Sequence, residues 1–276
     1  MEKHLICLDL DGTLLTDEKT ISPFTKKVLF ELKTRGHELM ISTGRPYRAT
    51  EPYYRELGMN TPIVNFNGAF VHHPQDLYFK TVHEELDLEV AREIVKRVPD
   101  LNIQNVIAEV KDNVYIHYHD EVLFEAFGMG SPQIKIGDLT QNIESGPTSI
   151  LIQAEEPEVP AIRQALDDLF AETIEHRRWG APYPVIEIVK KGINKAVGVD
   201  YCRGYLGIDK KHTIAFGDED NDTEMLRYVA HGVAMGNAID EIRTVADYMT
   251  DTNNNDGIGQ FLNDFFKLKL QKEGSR

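Results

Sequence analysis

Residues 5–13 read Leu5-Ile6-Cys7-Leu8-Asp9-Leu10-Asp11-Gly12-Thr13. The apolar run reads as a buried strand, and Gly12 marks the turn that ends it. Asp9 and Asp11 then stand at the carboxyl end of that strand, the side on which open α/β sheets place their ligands. Two carboxylates held this close repel each other unless a cation or a proton sits between them. On this stretch alone, a pair of turn-forming aspartates capping a strand reads equally well, because Asp is common in turns.

The same design recurs along the chain. His212–Asp222 is a short apolar run that ends in Gly217 and the acids Asp218, Asp220 and Asp222, with a helix-like stretch after it. Glu38–Ser42 is another strand-like run, ending in Thr43-Gly44-Arg45. Lys195 lies just inside a helix that begins near Asn194. Acids, a hydroxyl and a cation thus each fall at a strand end or a helix start.

Strands alternate with helices up to about Lys80: strands at Leu5–Asp9, Glu38–Ser42 and Pro62–Phe66, helices at Ser22–Arg35 and near Tyr47–Leu57. That alternation predicts a parallel sheet with right-handed crossovers. The pattern then changes to an α+β unit with four or more mostly antiparallel strands and two helices, less regular from Asp120 to Gly146. From Gly192 the α/β pattern resumes, as expected of an insertion. The fold expected is α/β: a Rossmann-like parallel-sheet core over residues 1–82 and 190–276, and an inserted α+β cap (lid) domain over 83–189.

Composition narrows the class. The formal charge of −15 argues against nucleic acid as a partner and requires local positive charge wherever a phosphate binds. No apolar run approaches the ~20 residues of a membrane helix, and the N-terminal run breaks at Asp9, too soon for a signal peptide. A cytoplasmic protein with no membrane partner is expected. Cys7 and Cys202 lack metal-ligand spacing and read as buried thiols.

Four segments together resemble the haloacid dehalogenase superfamily of phosphatases. Asp9-Leu10-Asp11-Gly12-Thr13-Leu14 is similar to its first motif, Ser42-Thr43-Gly44-Arg45 to the second, Lys195 in Lys191-Gly192-Ile193-Asn194-Lys195 to the third, and Gly217-Asp218-Glu219-Asp220-Asn221-Asp222 to the fourth. Phe66-Asn67-Gly68-Ala69 and Ala234-Met235-Gly236-Asn237-Ala238 resemble the Cof-type branch. The resemblance covers both ends of the chain; the middle is similar only in length and pattern.

The resemblance implies roles. Asp9 would be the nucleophile that forms an aspartyl-phosphate, and Asp11 the general acid and base. Asp9, the main-chain carbonyl of Asp11, and Asp218 would hold a metal, with Asp222 beside them. If the first and fourth strands are neighbours, Asp9, Asp11, Asp218 and Asp222 converge, and four such groups cannot all ionise without a counter-charge. Candidate ligands that are all oxygen favour a hard cation, and Mg²⁺ suits such a site better than Ca²⁺ because it binds through one or two carboxylates, waters and a substrate phosphate. Lys195, Thr43 and the turns at Gly12 and Gly44 would receive the phosphate, with Asn221 at a helix start. Asp220 falls at a variable motif position.

Several residues stay open. Lys190 and Lys191 compete with Lys195; the resemblance, whose motif places the lysine three residues beyond Gly192, implies Lys195. Arg45 either steers phosphate or starts a helix before Pro46. Asn67 either touches substrate or stabilises a turn. Tyr115, His117 and His119 alternate and read as a face of the cap sheet rather than a metal site, His72-His73 as a polar turn. Trp179 is either a surface anchor or a lid contact. The function expected is a Mg²⁺-dependent phosphatase acting on a small phosphorylated metabolite, a sugar phosphate or cofactor phosphate, working as a monomer or homodimer. A phosphotransferase or phosphomutase on the same core and a non-catalytic metabolite-binding regulator are the alternatives.

Overall fold

The computed structural model describes residues 2–178 and 185–272. Trp179 and the end of the expected frayed terminus, from Glu273 on, lie outside the described residues. The chain divides into two compact units, one of Met1–Gly44, Pro52–Thr81 and Asn194–Arg276, the other of Arg45–Glu51 and Val82–Ile193. The fold is α/β, a Rossmann-like parallel-sheet unit interrupted in sequence by an α+β unit.

The first unit is built on a five-stranded sheet in the order Tyr248–Met249, His231–Ala234, Thr213–Gly217, Leu5–Leu8, Glu38–Ile41. Every neighbouring pair is parallel. Leu5, Ile6, Cys7 and Leu8 are all fully buried, which is why that strand is an unbroken apolar run. Leu8 pairs with Phe216 on one side and Ile41 on the other. The chain therefore leaves three adjacent strands at one level, and Asp9, Gly217-Asp218 and Ser42-Thr43 emerge side by side.

Local sequence signals set the flanking helices. Pro23–Thr34 starts with Ser22 as N-cap and Pro23 in its first turn, and buries Val28, Leu29 and Leu32. Lys195–Leu206 starts with the Asn194 side chain accepting the Val197 N–H at 3.2 Å and stops at Gly207 in the left-handed conformation. The Pro62–Phe66 run yields only Ile63–Asn65. It meets the sheet through a single bridge from Val64 to Ser42 and doubles back as a hairpin with Phe70–His72. Of the expected His72-His73 turn, His72 instead ends the strand Phe70–His72, and His73 turns the chain, its Nδ1 accepting the Gln75 and Asp76 N–H groups at 3.2 and 3.1 Å.

The second unit holds a six-stranded sheet in the order Ile174–Arg178, Val185–Lys190, Ser149–Ala154, Ile103–Val110, Asn113–Ile116, Ile134–Ile136. Only the last pair is parallel. Alternate residues serve opposite faces: Ile150 and Ile152 join one apolar cluster with helices Leu88–Lys96 and Val159–Phe170, while Leu151 joins another with Leu123. The stretch read as less regular contains helices Glu121–Phe127 and Leu139–Asn142 and the strand Ile134–Ile136. These pieces are too short to show a clear period. Of the three residues read as one sheet face only Tyr115 lies in the strand Asn113–Ile116; His117 and His119 follow it, and the His117 Nδ1 accepts the Leu139 N–H at 3.1 Å, a structural role. Both cysteines are free and buried. Among the described residues no helix is long and apolar enough to cross a membrane.

Candidate active site

Immediately after the Leu5–Leu8 strand the chain makes one wide turn. The Leu14 N–H donates to the Asp9 carbonyl at 3.2 Å and the Leu15 N–H to the Leu10 carbonyl at 2.9 Å. Gly12 holds the turn at φ +70°, and a Cβ there would run into the Asp218 carboxylate. Thr13 Oγ1 donates to Asp218 Oδ1 at 2.6 Å, and Asn237 Nδ2 donates to the Gly12 carbonyl at 2.8 Å. The turn thus locks the end of one strand against the end of its neighbour.

Asp9, Asp218 and Asp222 are buried and present oxygens within 4.8 Å of one another. The Lys195 ammonium, fully buried, donates to Asp9 Oδ1 and Asp222 Oδ1, each at 2.7 Å. Asp222 Oδ2 accepts the Asp218 and Glu219 N–H groups at 3.0 and 3.3 Å. Gly217 is obligatory here, since a Cβ would meet the Asp222 carboxyl carbon. Both Asp222 oxygens are therefore engaged by the protein, which suits a carboxylate that orients Lys195.

The charges do not balance: three carboxylates share one ammonium. Burial raises Asp9 to about 7, opposed by Lys195 and reinforced by Asp222. Burial likewise raises Asp218 to about 8, reinforced by Asp9 and Asp222. For Lys195 burial pulls downward, but Asp222 and Asp9 outweigh it and hold the ammonium above its ordinary value. A buried cluster of oxygen ligands with excess negative charge has the chemistry of a divalent, hard-cation site. Asp220 stands half-buried in the same turn and is outside this trio.

A polar wall adjoins the cluster. Thr43 is buried, with its N–H bonded to the Val64 carbonyl at 2.9 Å, and its carbonyl accepts the Asn67 N–H at 3.1 Å. A Cβ on Gly44 would lie 3.2 Å from Asn67 Nδ2. Asn221 Nδ2 donates to Asn67 Oδ1 at 3.0 Å. Asp11, half exposed, pairs with Lys19 at 2.7 Å. Of the three competing lysines only Lys195 reaches Asp9; Lys190 pairs with Glu84 at 2.5 Å, and Lys191 is exposed. Arg45 falls in the segment that belongs to the second unit, where its Nη1 approaches the Ala49 carbonyl at 3.5 Å. Thr13, Lys19 and Asn237 were not singled out as site residues from sequence. Asn237 follows the strand His231–Ala234 closely, so the strand-end signal used for Asp9 and Asp218 would have found it.

Carboxylates and a buried lysine gather at the strand ends of a parallel α/β sheet, the side on which such sheets place their ligands. The profile of a family described as haloacid dehalogenase-like hydrolase matches residues 6–262, and the chain belongs to that family. It is 52% identical to the 5-amino-6-(5-phospho-D-ribitylamino)uracil phosphatase YitU of Bacillus subtilis over 265 residues, covering 96% of this chain and 98% of that protein. It is 29% identical to the pyridoxal phosphate phosphatase YbhA of Escherichia coli, covering 95% and 98%. A haloacid dehalogenase-like hydrolase from Bacteroides thetaiotaomicron superposes with a TM-score of 0.83 at 27% identity, covering 96% of this chain and all of that one. The enzyme is a phosphoric monoester hydrolase.

Proposed function

We propose that the enzyme is a Mg²⁺-dependent phosphatase of a small phosphomonoester, working through an aspartyl-phosphate on Asp9. The observation that carries this reading is the buried Lys195 bridge between Asp9 and Asp222 beside Asp218. Asp9, Asp218 and the main-chain carbonyl of Asp11 would hold the cation. When bound, Mg²⁺ supplies neutralisation and Lewis-acid polarisation of the phosphate oxygens. Lys195 orients the Asp9 carboxylate and offsets its repulsion from a phosphate dianion. Thr43, the turn through Gly44, Asn67 and Asn221 bind the remaining oxygens. Asp9 attacks phosphorus while the bond to the leaving oxygen breaks, and Asp11 gives that oxygen its proton. Asp11 then takes a proton from water, which attacks phosphorus, breaks the acyl-phosphate bond and restores Asp9.

The substrate class this reading favours is a sugar-alcohol phosphate borne on a heterocycle, as in the compound named for the relative that is 52% identical over nearly the full length of both chains. The inserted α+β unit serves as the lid that excludes water and reads the part of the substrate beyond the phosphate, with Arg45 offered from its segment. The site lies in a soluble, cytoplasmic enzyme that needs no nucleic acid or membrane.

The test is phosphate release with Mg²⁺ from 5-amino-6-(5-phospho-D-ribitylamino)uracil, pyridoxal phosphate and a panel of sugar phosphates. Fastest turnover of the ribityl compound, abolished by chelation and by Asp9→Asn, is expected. Undiminished turnover by Asp9→Asn would overturn the mechanism, and a preference for another panel member would overturn the substrate class.

A further inference from the structure

A cation that meets Asp11 comes from an unusual place. Lys19 Nζ lies 2.7 Å from Asp11 Oδ1, with the two side chains 55% and 44% exposed. An ion pair so open to solvent contributes little to folding. Lys19 also sits at φ +58°, a conformation that ordinarily selects glycine or asparagine. Neither fact recommends lysine for stability, so its presence calls for a local reason.

The surroundings hold that lysine in place. It occupies the tip of a short hairpin whose arms bridge at Leu15 and Ile21. The Thr16 N–H donates to the Thr20 carbonyl and the Lys19 N–H to the Thr16 carbonyl, both at 2.9 Å. The Tyr53 hydroxyl donates to the Lys19 carbonyl at 3.0 Å. On the other side Asp17 accepts amide N–H groups from Asn253 at 3.2 Å and Asn254 at 2.8 Å. Asn253 also donates to the Leu15 carbonyl at 2.9 Å, and its own N–H reaches Asn237, the residue that clasps Gly12. The hairpin is thus pinned to the turn that carries Asp11, and its tip delivers the ammonium to one carboxyl oxygen.

We propose that Lys19 is a positioning residue for proton transfer by Asp11. It engages Oδ1 and fixes the plane of the carboxyl group, so that Oδ2 presents the proton to the leaving oxygen as the bond from phosphorus to that oxygen breaks. This inference rests on the reading of Asp11 as general acid. It names a residue outside the four motifs, and it separates Lys19 from Lys195, which acts on the nucleophile.

The leaving group gives the test. An alkoxide needs a proton as it departs, whereas p-nitrophenolate leaves without one. The kcat/KM values of wild type, Lys19→Met and Lys19→Arg are compared on ribose 5-phosphate and on p-nitrophenyl phosphate with Mg²⁺. General acid catalysis contributes ~10²–10⁴-fold, and misplacing the acid forfeits part of it. Lys19→Met is therefore expected to lose about tenfold on the alkyl ester and less than about twofold on the aryl ester, with Lys19→Arg recovering most of the difference. In an Asp11→Asn background, Lys19→Met is expected to change nothing further. Equal losses on both esters, or an undiminished additional loss in that background, would mean that Lys19 serves the phosphate or the fold, and would overturn the proposal. Full alkyl activity in Asp11→Asn alone would instead remove the reading of Asp11 on which the proposal stands.

Discussion

Lys195 carries its charge where lysine is seldom found, fully buried between Asp9 and Asp222 at 2.7 Å from each. Desolvation pushes its proton off, and the two carboxylates keep it on. Removing such a cation strands buried negative charge next to the nucleophile and takes away a preorganised donor for the phosphate. On the function proposed, Lys195→Met should therefore lower kcat/KM for p-nitrophenyl phosphate by about 10²–10³-fold. A loss below about threefold in steady-state assays would show that the ammonium has no part in the chemistry. This residue was legible through the family resemblance, whose motif places the lysine three residues beyond Gly192 and so sets it apart from Lys190 and Lys191. Asn237 stands at a legible strand end, but its clasp on the Gly12 carbonyl, 225 positions away, leaves no local signature.

Among elements, the legible ones were long or uniformly apolar. The strand Leu5–Leu8 has no polar residue and the helix Pro23–Thr34 has a cap and a periodic inner face, so their types followed from local chemistry. The segment Asp120–Gly146 hid two helices and a strand because pieces of three to seven residues hold too little period to read. The helix Tyr47–Glu56 hid something else. Its first residues belong with the second unit and its last with the first. Arg48 explains why. Its guanidinium is buried against the Glu109 carboxylate, its Nη1 reaches the Lys111 carbonyl at 3.3 Å, and its N–H donates to Asp112 at 3.2 Å. A bond across 61 positions leaves no trace in local patterning. Burial raises the Glu109 carboxyl even against the opposing pull of Arg48. Breaking a buried pair on one side typically costs ~3–5 kcal/mol, whereas replacing both partners by apolar groups can be nearly neutral. Arg48→Met should lower the urea stability of the second unit by about that amount, and Arg48→Met/Glu109→Leu should restore most of it. Equal destabilisation by the single and double variants would refute the pairing as the source.

At the scale of the molecule, the carboxylates of the proposed metal site all lie in the first unit, and two compact units need not unfold together. Asp9 at about 7 and Asp218 at about 8 stand above the ~4 of a carboxyl group in an unfolded chain. Between about pH 4 and pH 8 the metal-free fold therefore binds more protons than the unfolded chain, and its stability falls as pH rises through that window. A divalent cation takes the place of those protons, so the stability it adds should grow with pH over the same range. At about 100 times its dissociation constant a ligand adds ~2.7 kcal/mol, or about 5–10 °C in the melting of a unit of this size. Calorimetry with millimolar Mg²⁺ against a chelator should show a rise of that order near pH 8 in the transition of the first unit, and a smaller one near pH 5.5. Asp218→Asn should shrink the rise near pH 8, because it removes one ligand together with one of the two groups whose protons the cation displaces. An equal rise at both pH values would mean that the cation binds without displacing protons from Asp9 and Asp218, and a rise confined to the transition of the second unit would place the metal away from these carboxylates.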